Sequence, residues 1–445
     1  MSTGVGLVSL GCPKNLVDSE VMLGLLKDAK FNITSNEADA EVLIVNTCGF
    51  IDSAKEESIR HILELAQYKE RGKCRALIVA GCLAQRYHKE LLEEMPEIDA
   101  LVGPGHIQDI ALIVHDVLAS KGKKHHINDP LYLYDEHAPR LISTPRYTAY
   151  VKIAEGCDNR CAYCAIPDIR GRFRSRTMES IEAEVRKLVG NGTKEIILIA
   201  QDTTRYGLDL YGTYCLDQLL RRLEPVPGLK WIRLLYCYPN RFTRELIKTI
   251  AEQPNICKYI DLPLQHASDG ILQAMGRPVN QQQARELIRY LRSQVPGIVI
   301  RTSFIVGFPG ETEEQFQELL NFMQELAFDR AGVFTYSQEE GTPAANLPDQ
   351  IPDAVKQERF HRTMTLQREI SLEQNRRWIG AVLEVLVEEV VDSGKHIYSG
   401  RSSFDAPEID GTVEFVSSRP LTVGDTVNVK INRALEYDLM GELAL

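Results

Sequence analysis

Three cysteines stand within eight residues at the end of an apolar strand: AYVKIAEG runs straight into CDNRCAYC, which carries Cys157, Cys161 and Cys164. Three thiols delivered by one tight loop need a rigid platform, and the surrounding sequence supplies one. AYVKIAEG, EIILIAQD, WIRLLYCYP, YIDLPLQ, IVIRTSFIVG and AGVFTYS read as six strands separated by helical patterns. Eight such β/α units close a barrel, whereas six leave it open or partial, with the strand C-termini facing one site.

Soft thiolates at this spacing suit iron–sulfur chemistry, because three ligands from one loop hold three corners of a cubane cluster and leave one iron open. A structural zinc site would want a fourth Cys or His, and none stands within the loop. Packing of three core thiols is the remaining alternative.

Residues 1–140 also alternate strands and helices: VGLVSLG, a helix near Ser19 to Ala29, EVLIVNTC, a helix from Ser53, ALIVAGC and DALVG. That is a parallel α/β layout. Ser53 and Glu56 have the spacing of a capping box. Cys12, Cys48 and Cys82 each end a strand, in SLGCPKN, NTCGF and AGCLAQ. Open α/β sheets place their sites at strand C-termini, and neighbouring strands lie about 4.8 Å apart, so three loops can bring three thiolates onto one cluster. Simple burial competes with this reading, and the polar or glycine neighbour beside each cysteine counts against it. Cys74, Cys215, Cys237 and Cys257 read as core thiols.

Between Lys121 and Pro145 the pattern dissolves into Lys, His, Asp and Pro, as in a linker. Residues 353–378 read as one long helix. After Gly380 come short β-rich runs separated by Gly and Pro turns, which predict a small β-barrel. The expected division is therefore 1–140, an α/β domain; 141–374, a partial (β/α)6 TIM-like barrel; and 375–445, a small antiparallel β-barrel. No run approaches 18 apolar residues, and the start, MSTGVGLVSLGC, enters a strand with no basic leader. A cytoplasmic protein with no membrane partner is expected, whose ten cysteines are reduced. A net charge of −11 argues against a large nucleic-acid surface.

Polar residues at barrel strand ends are candidates for cofactor contact: Gln201 and Asp202 after the second strand, Gln265 and His266 after the fourth. Arg170, Arg172, Arg174 and Arg176 form a basic run shortly after the cysteine loop, suited to a carboxylate or to solvent.

CxxxCxxC with Tyr163 before the third cysteine resembles the radical S-adenosylmethionine superfamily, and IVGFPGET is similar to its glycine-containing strand beside the adenine. This resemblance implies a 4Fe–4S cluster on Cys157, Cys161 and Cys164 whose open iron chelates S-adenosyl-L-methionine. It implies cleavage of that cofactor to a 5′-deoxyadenosyl radical. Tyr163, Gly307, Gln201, Gln265 and Arg172 are the expected cofactor-binding residues. Both triads together with the β-rich tail resemble the methylthiotransferase family over nearly the whole chain, and Cys12, Cys48 and Cys82 match its auxiliary-cluster ligands. SLGCPKNLVDSE is similar to the branch acting on ribosomal protein S-twelve, with Pro13 and Lys14 where the tRNA-modifying branch carries another pair. The implications are two 4Fe–4S clusters, transfer of a methylthio group to the β-carbon of an aspartate in S-twelve, and a TRAM-like, OB-like tail that binds substrate. An electron donor such as a flavodoxin is also implied.

Two rival readings are methylthiolation of a tRNA adenosine, as in the MiaB type, and a non-enzymatic iron–sulfur scaffold. A tRNA clamp needs a basic face. From Arg376 to Leu445 there are seven basic and twelve acidic residues, a net charge of −5. A basic protein is the expected partner rather than tRNA, with Glu388, Glu389, Asp405 and Asp410 among the acids expected to steer it.

Overall fold

The computed structural model describes residues 3–119 and 122–444. Its first sheet is wholly parallel and contains β1 (Gly4–Ser9), β2 (Asn32–Ile33), β3 (Val42–Thr47), β4 (Ala76–Gly81), β5 (Ala100–Val102) and β6 (Lys124–His126), in the order 2-1-3-4-5-6. Helices cover both faces. The central strands VLIVNT and ALIVAG are therefore buried at every position, and VLIV and ALIVAG read as continuous apolar runs rather than alternating ones.

A second parallel sheet contains β7 (Thr148–Lys152) and the later strands β10 (Glu195–Ile199), β11 (Trp231–Leu234), β12 (Ile256–Asp261), β13 (Val299–Val306) and β14 (Arg330–Thr335), which follow one another across the sheet. These are the six expected strands. Between them in the chain, β8 (Ala154–Glu155) and β9 (Arg174–Ser175) form an antiparallel ribbon that pinches the base of the segment holding the cysteine loop. The helix Asp353–Arg376 packs on β14 and leads into β15 (Val382–Asp392), β16 (Ile397–Ser402), β17 (Val413–Val416), β18 (Thr426–Ala434) and β19 (Leu439–Leu443), a closed barrel. Four of its pairings are antiparallel, but β17 and β19 run parallel, so the barrel is mixed where an antiparallel one was expected. Among the described residues no helix is long and apolar enough to cross a membrane.

Several local expectations change. The first helix begins at Pro13, not near Ser19: Cys12 is its N-cap residue and proline occupies its first turn, where a missing N–H costs nothing. The helix Asp52–Ala66 starts one residue before Ser53, with Ile51 as N-cap and no side-chain cap, so the predicted capping box does not form. The expected linker contributes β6 to the first sheet, and Lys121 lies outside the described residues. Beyond β6 the chain is pinned as well. Arg140 donates to Glu20 at 2.6 Å and to Glu184 at 2.6 Å, joining the first helix to the barrel.

The C-terminal barrel is seated on the central sheet by buried ions. Glu195, on β10, accepts from Arg233 at 2.8 Å and from Arg401 of β16 at 2.7 Å. Asp405 accepts from Arg330 at 3.0 Å, and Asp410 accepts from the Tyr259 hydroxyl at 2.6 Å. This corrects the reading of the tail acids. Asp405 and Asp410 face inward, Glu388 pairs with Arg401, and of the four only Glu389 is exposed without such a partner. Sequence charge cannot separate acids that neutralise buried arginines from acids that face solvent.

Candidate active site

The N-terminal triad hangs on the C-terminal ends of β1, β3 and β4. Gly11 has φ +86°, and a Cβ there would stand 2.8 Å from the Cys48 Cβ, so glycine lets the first loop lie against the second. Asn15 ties the three loops together. Its amide donates to the Leu10 carbonyl at 3.1 Å and to the Thr47 carbonyl at 2.8 Å, while its oxygen stands 3.6 Å from the Cys82 sulfur. Ser58 fixes Cys48 from behind, accepting from its N–H at 3.1 Å and donating to its carbonyl at 3.0 Å.

Charge differs sharply among the three thiols. Burial pushes Cys12 up, but the Lys14 ammonium, the Arg170 guanidinium and the N–H groups of Asn15 and Lys14 outweigh it and hold Cys12 below its ordinary value. Burial, reinforced by Cys82, pushes Cys48 up to about 12. Cys82 is also raised by burial, which Arg170 only partly offsets. Arg170 ends the short helix Ile166–Arg170 and reaches across from the barrel: it contacts Asn15 and Cys82 Sγ, the latter at 3.5 Å, and pairs with Asp18 at 2.9 Å and Glu155 at 3.1 Å. Lys152 also pairs with Asp18, at 2.5 Å, and with Glu155.

The second triad is held by its own intervening residues. Asp158 accepts from the Phe173 N–H at 3.1 Å and from Arg205 at 2.9 Å. Asn159 donates to Asp202 at 2.8 Å and accepts from Arg241 at 2.7 Å, and Arg241 pairs with Asp202. The Cys161 sulfur stands 3.8 Å from the Tyr238 hydroxyl and 3.7 Å from an Arg277 nitrogen, and that guanidinium lies 4.0 Å from the Tyr238 ring centroid. Burial raises Cys157 and pushes Cys164 up to about 12. Tyr163 packs against the small apolar cluster that includes Phe308 and Tyr336. Among the described residues no three His, Cys, Asp or Glu side chains stand close enough to hold one metal ion. A cubane cluster takes its thiolates on separate irons, so this chemistry and the loop spacing fit a cluster.

Other candidates line the same end of the barrel. Both side-chain polar atoms of Gln201 are buried without a partner, which suits a residue awaiting a ligand. Gln265 has φ +76° and exchanges backbone hydrogen bonds with β13, donating to Ser303 at 2.8 Å and accepting from Ile305 at 2.7 Å. Gly307 has φ +74°, and its missing Cβ leaves room for the Lys356 side chain of the long helix. Glu311 accepts from the N–H groups of Gly307 and Phe308, and its other oxygen stands 3.8 Å from His266 Nε2; both of those side-chain atoms are buried without a hydrogen bond.

The run IRGRFRSR is not one basic surface. Arg170 is 1% exposed in the acid cluster above, and Arg176 is 2% exposed and pairs with Glu184 at 2.5 Å. Arg174 donates to the Arg172 carbonyl at 2.6 Å, and Arg172 is exposed. Asp202 belongs to the Asn159–Arg241 network.

The surroundings of the two triads meet across the domain boundary. Cys82 packs against Ala165 and Ile169, the residues that follow the second triad. The three-residue step Tyr236–Tyr238 touches both sides: the Tyr238 hydroxyl faces Cys161, and the Lys14 ammonium lies 3.1 Å from the Tyr236 ring centroid. Tyr236, Tyr238, Arg241 and Arg277 carry no motif of their own, while Arg170 belongs to the basic run and Asn15 to SLGCPKN without either run indicating these contacts. Proximity to the cysteines in the chain was the available signal for Asn15.

Three family descriptions match successive parts of the chain: Uncharacterized protein family UPF0004 at residues 5–103, Radical SAM superfamily at 151–323 and TRAM domain at 379–444. A Desulforamulus reducens protein described as ribosomal protein uS12 methylthiotransferase RimO is 74% identical over 99% of each chain. A Pelotomaculum thermopropionicum protein with the same description is 57% identical over all of both chains. Among solved structures, the radical S-adenosylmethionine methyltransferase TsrM from Kitasatospora setae, with cobalamin and a 4Fe–4S cluster bound, superposes with a TM-score of 0.58 at 16% identity, covering 86% of this chain and 81% of that one. It shares the fold.

Proposed function

This chain belongs to the RimO family of ribosomal protein uS12 methylthiotransferases, and from that premise we propose that it carries two 4Fe–4S clusters and works on ribosomal protein uS12 in the cytoplasm, with a flavodoxin-like protein as electron donor. The enzyme is a radical S-adenosylmethionine methylthiotransferase, and the carbon assigned to it is the β-carbon of an aspartate. Cys157, Cys161 and Cys164 hold the cluster that binds S-adenosyl-L-methionine, and Cys12, Cys48 and Cys82 hold the auxiliary one. When bound, these groups supply hydrogen-atom abstraction from an unactivated carbon and the methylthio group that replaces the hydrogen.

The chain's own residues divide the remaining work. Asn15 and Ser58 set the auxiliary thiolates, and Arg170 supplies positive charge beside them. Asp158, Asn159, Asp202 and Arg241 hold the other cysteine loop in shape. Gln201, Gln265, Tyr163, Gly307 and Arg172 are the residues assigned to cofactor contact. Residues 1–140, 141–374 and 375–445 act as auxiliary-cluster, radical and substrate-binding domains.

The observation that carries this reading is the contact between the surroundings of the two cysteine triads across one interface, with Arg170 and the Tyr236–Tyr238 step touching both. The test is anaerobic reconstitution followed by incubation with uS12, S-adenosyl-L-methionine and reductant. Mass spectrometry should find one hydrogen of the target aspartate replaced by a methylthio group. Modification of tRNA with uS12 untouched would overturn the proposal.

A further inference from the structure

A groove of about 640 Å³ runs down the flank of the first domain, between the helix Asp52–Ala66, the helix His88–Glu94 and the segment that follows β14. Its lining is apolar at the centre. Leu83, Leu91 and Met95 are buried there, while Ile59 and Leu63, one helical turn apart, are left 38% and 46% exposed. Large apolar side chains open at the i and i+4 positions of one helix form a surface suited to a partner's apolar residues.

Charge decides which partner fits. Five acids line the groove, Asp52, Glu56, Glu90, Glu94 and Glu340, and all are exposed. Lys55 also lines it, but that ammonium is already paired with Asp52 at 2.5 Å and Glu339 at 3.0 Å. Among the described residues Glu56, Glu90, Glu94 and Glu340 pair with no cation. Four unpaired carboxylates around an apolar strip attract a basic segment and repel a second copy of this chain, whose net charge is −11.

Shape and position agree with this. From Asp52 to Leu63 the helical wall is about 16 Å long, which suits a stretch of polypeptide rather than a compact small molecule. One end adjoins the N-terminal triad, since Asp52 lies four residues beyond Cys48 and Leu83 is next to Cys82. The wall formed by Gln338 and Glu340 is clamped there: Arg86 donates to Glu339 at 2.8 Å, to the Glu340 carbonyl at 2.7 Å and to the Gly49 carbonyl, beside Cys48, at 2.9 Å.

We propose that this groove is a docking site for the protein substrate. A basic segment of uS12, away from the modified aspartate, lays apolar side chains on Ile59 and Leu63 and sets its lysines or arginines against Glu56, Glu90, Glu94 and Glu340. The proposal rests on the uS12 reading above. Such a role suits acids without partners, unlike Glu388, Asp405 and Asp410 of the tail, which already face arginines.

The test uses the cluster-loaded enzyme and full-length uS12, with initial rates measured at several ionic strengths. Glu56→Lys, Glu90→Lys and Glu94→Lys together should raise KM by roughly tenfold at low salt, and the difference should shrink as salt screens the exposed charges. Ile59→Ser with Leu63→Ser should raise KM at every ionic strength. In both variants kcat and the uncoupled formation of 5′-deoxyadenosine should match wild type, a split that general damage to the fold would not give. A photo-crosslinking side chain in place of Leu63 should join the enzyme to uS12. Unchanged KM in either variant, or a loss confined to kcat, would overturn the proposal, as would a crosslink that misses uS12 or forms only between copies of the enzyme. If wild type modifies uS12 and the variants keep its KM, the groove alone fails; if wild type leaves uS12 unmodified, the function fails with it.

Discussion

The guanidinium of Arg170, a barrel residue, stands 3.5 Å from the sulfur of Cys82, an N-terminal domain residue. That one side chain also neutralises Asp18 and Glu155 and touches Asn15. Replacing it with Met leaves two buried carboxylates with Lys152 as their remaining cation. Arg170→Met should cost about 3–5 kcal/mol in urea unfolding, the usual penalty for breaking a buried ion pair from one side. Iron analysis should show selective loss from the N-terminal triad.

The two triads should be separable by mutation. Changing Cys157, Cys161 and Cys164 together to Ala should remove about half the iron and abolish 5′-deoxyadenosine formation, read by chromatography after incubation with reductant. Changing Cys12, Cys48 and Cys82 should leave cofactor cleavage intact and eliminate methylthio transfer. Methylthiolated uS12 from the second variant would refute the proposed sulfur platform.

Acid should loosen the seat of the C-terminal barrel. Burial raises the Glu195 carboxyl, but Arg401 and Arg233 overcome it and hold the group at about 2, below its ordinary 4.5. A depressed folded-state value means the stabilisation is fully present above about pH 4.5 and disappears as pH falls toward 2. The shift corresponds to about 3 kcal/mol. Urea titrations should therefore show Glu195→Gln less stable than wild type at neutral pH, with the gap narrowing across that window; a pH-independent gap would exclude this pairing as its source.

Tail acids should divide by burial rather than by sequence position. Asp405→Lys and Asp410→Lys place like charge against Arg330 and Arg301 and should lower the melting temperature markedly. Glu389→Lys, on an exposed site, should leave melting within about 0.5 kcal/mol of wild type. Its effect, if the tail steers a basic substrate, should be a slower uS12 reaction at low salt, measured by initial rates at increasing ionic strength.

The sequence was legible where chemistry and periodicity coincided. The alternation of strands and helices in residues 1–140 announced a parallel sheet, six β/α units announced the partial barrel, and Cys12, Cys48 and Cys82 follow strands as read. Distant partners were not legible. Nothing near IRGRFRSR says that Arg170 will meet Asp18 or that Arg176 will meet Glu184, since those contacts exist only after two sheets dock. The acidic tail misled for the same reason: Asp405 and Asp410 balance arginines brought from other strands. The missing capping box is a smaller instance, in which an earlier helix start at Asp52 displaced Ser53 from the cap.

Arg170 has a consequence for how the protein is made. A ribosome-bound chain that has completed only the first sheet already possesses Cys12, Cys48 and Cys82, yet lacks the cation that faces Cys82 and closes the Asp18 cluster. That cation is encoded 88 positions downstream of Cys82. The first centre to be translated thus waits for its surroundings until the next domain has begun, and its maturation is timed by synthesis of the domain that will later use it.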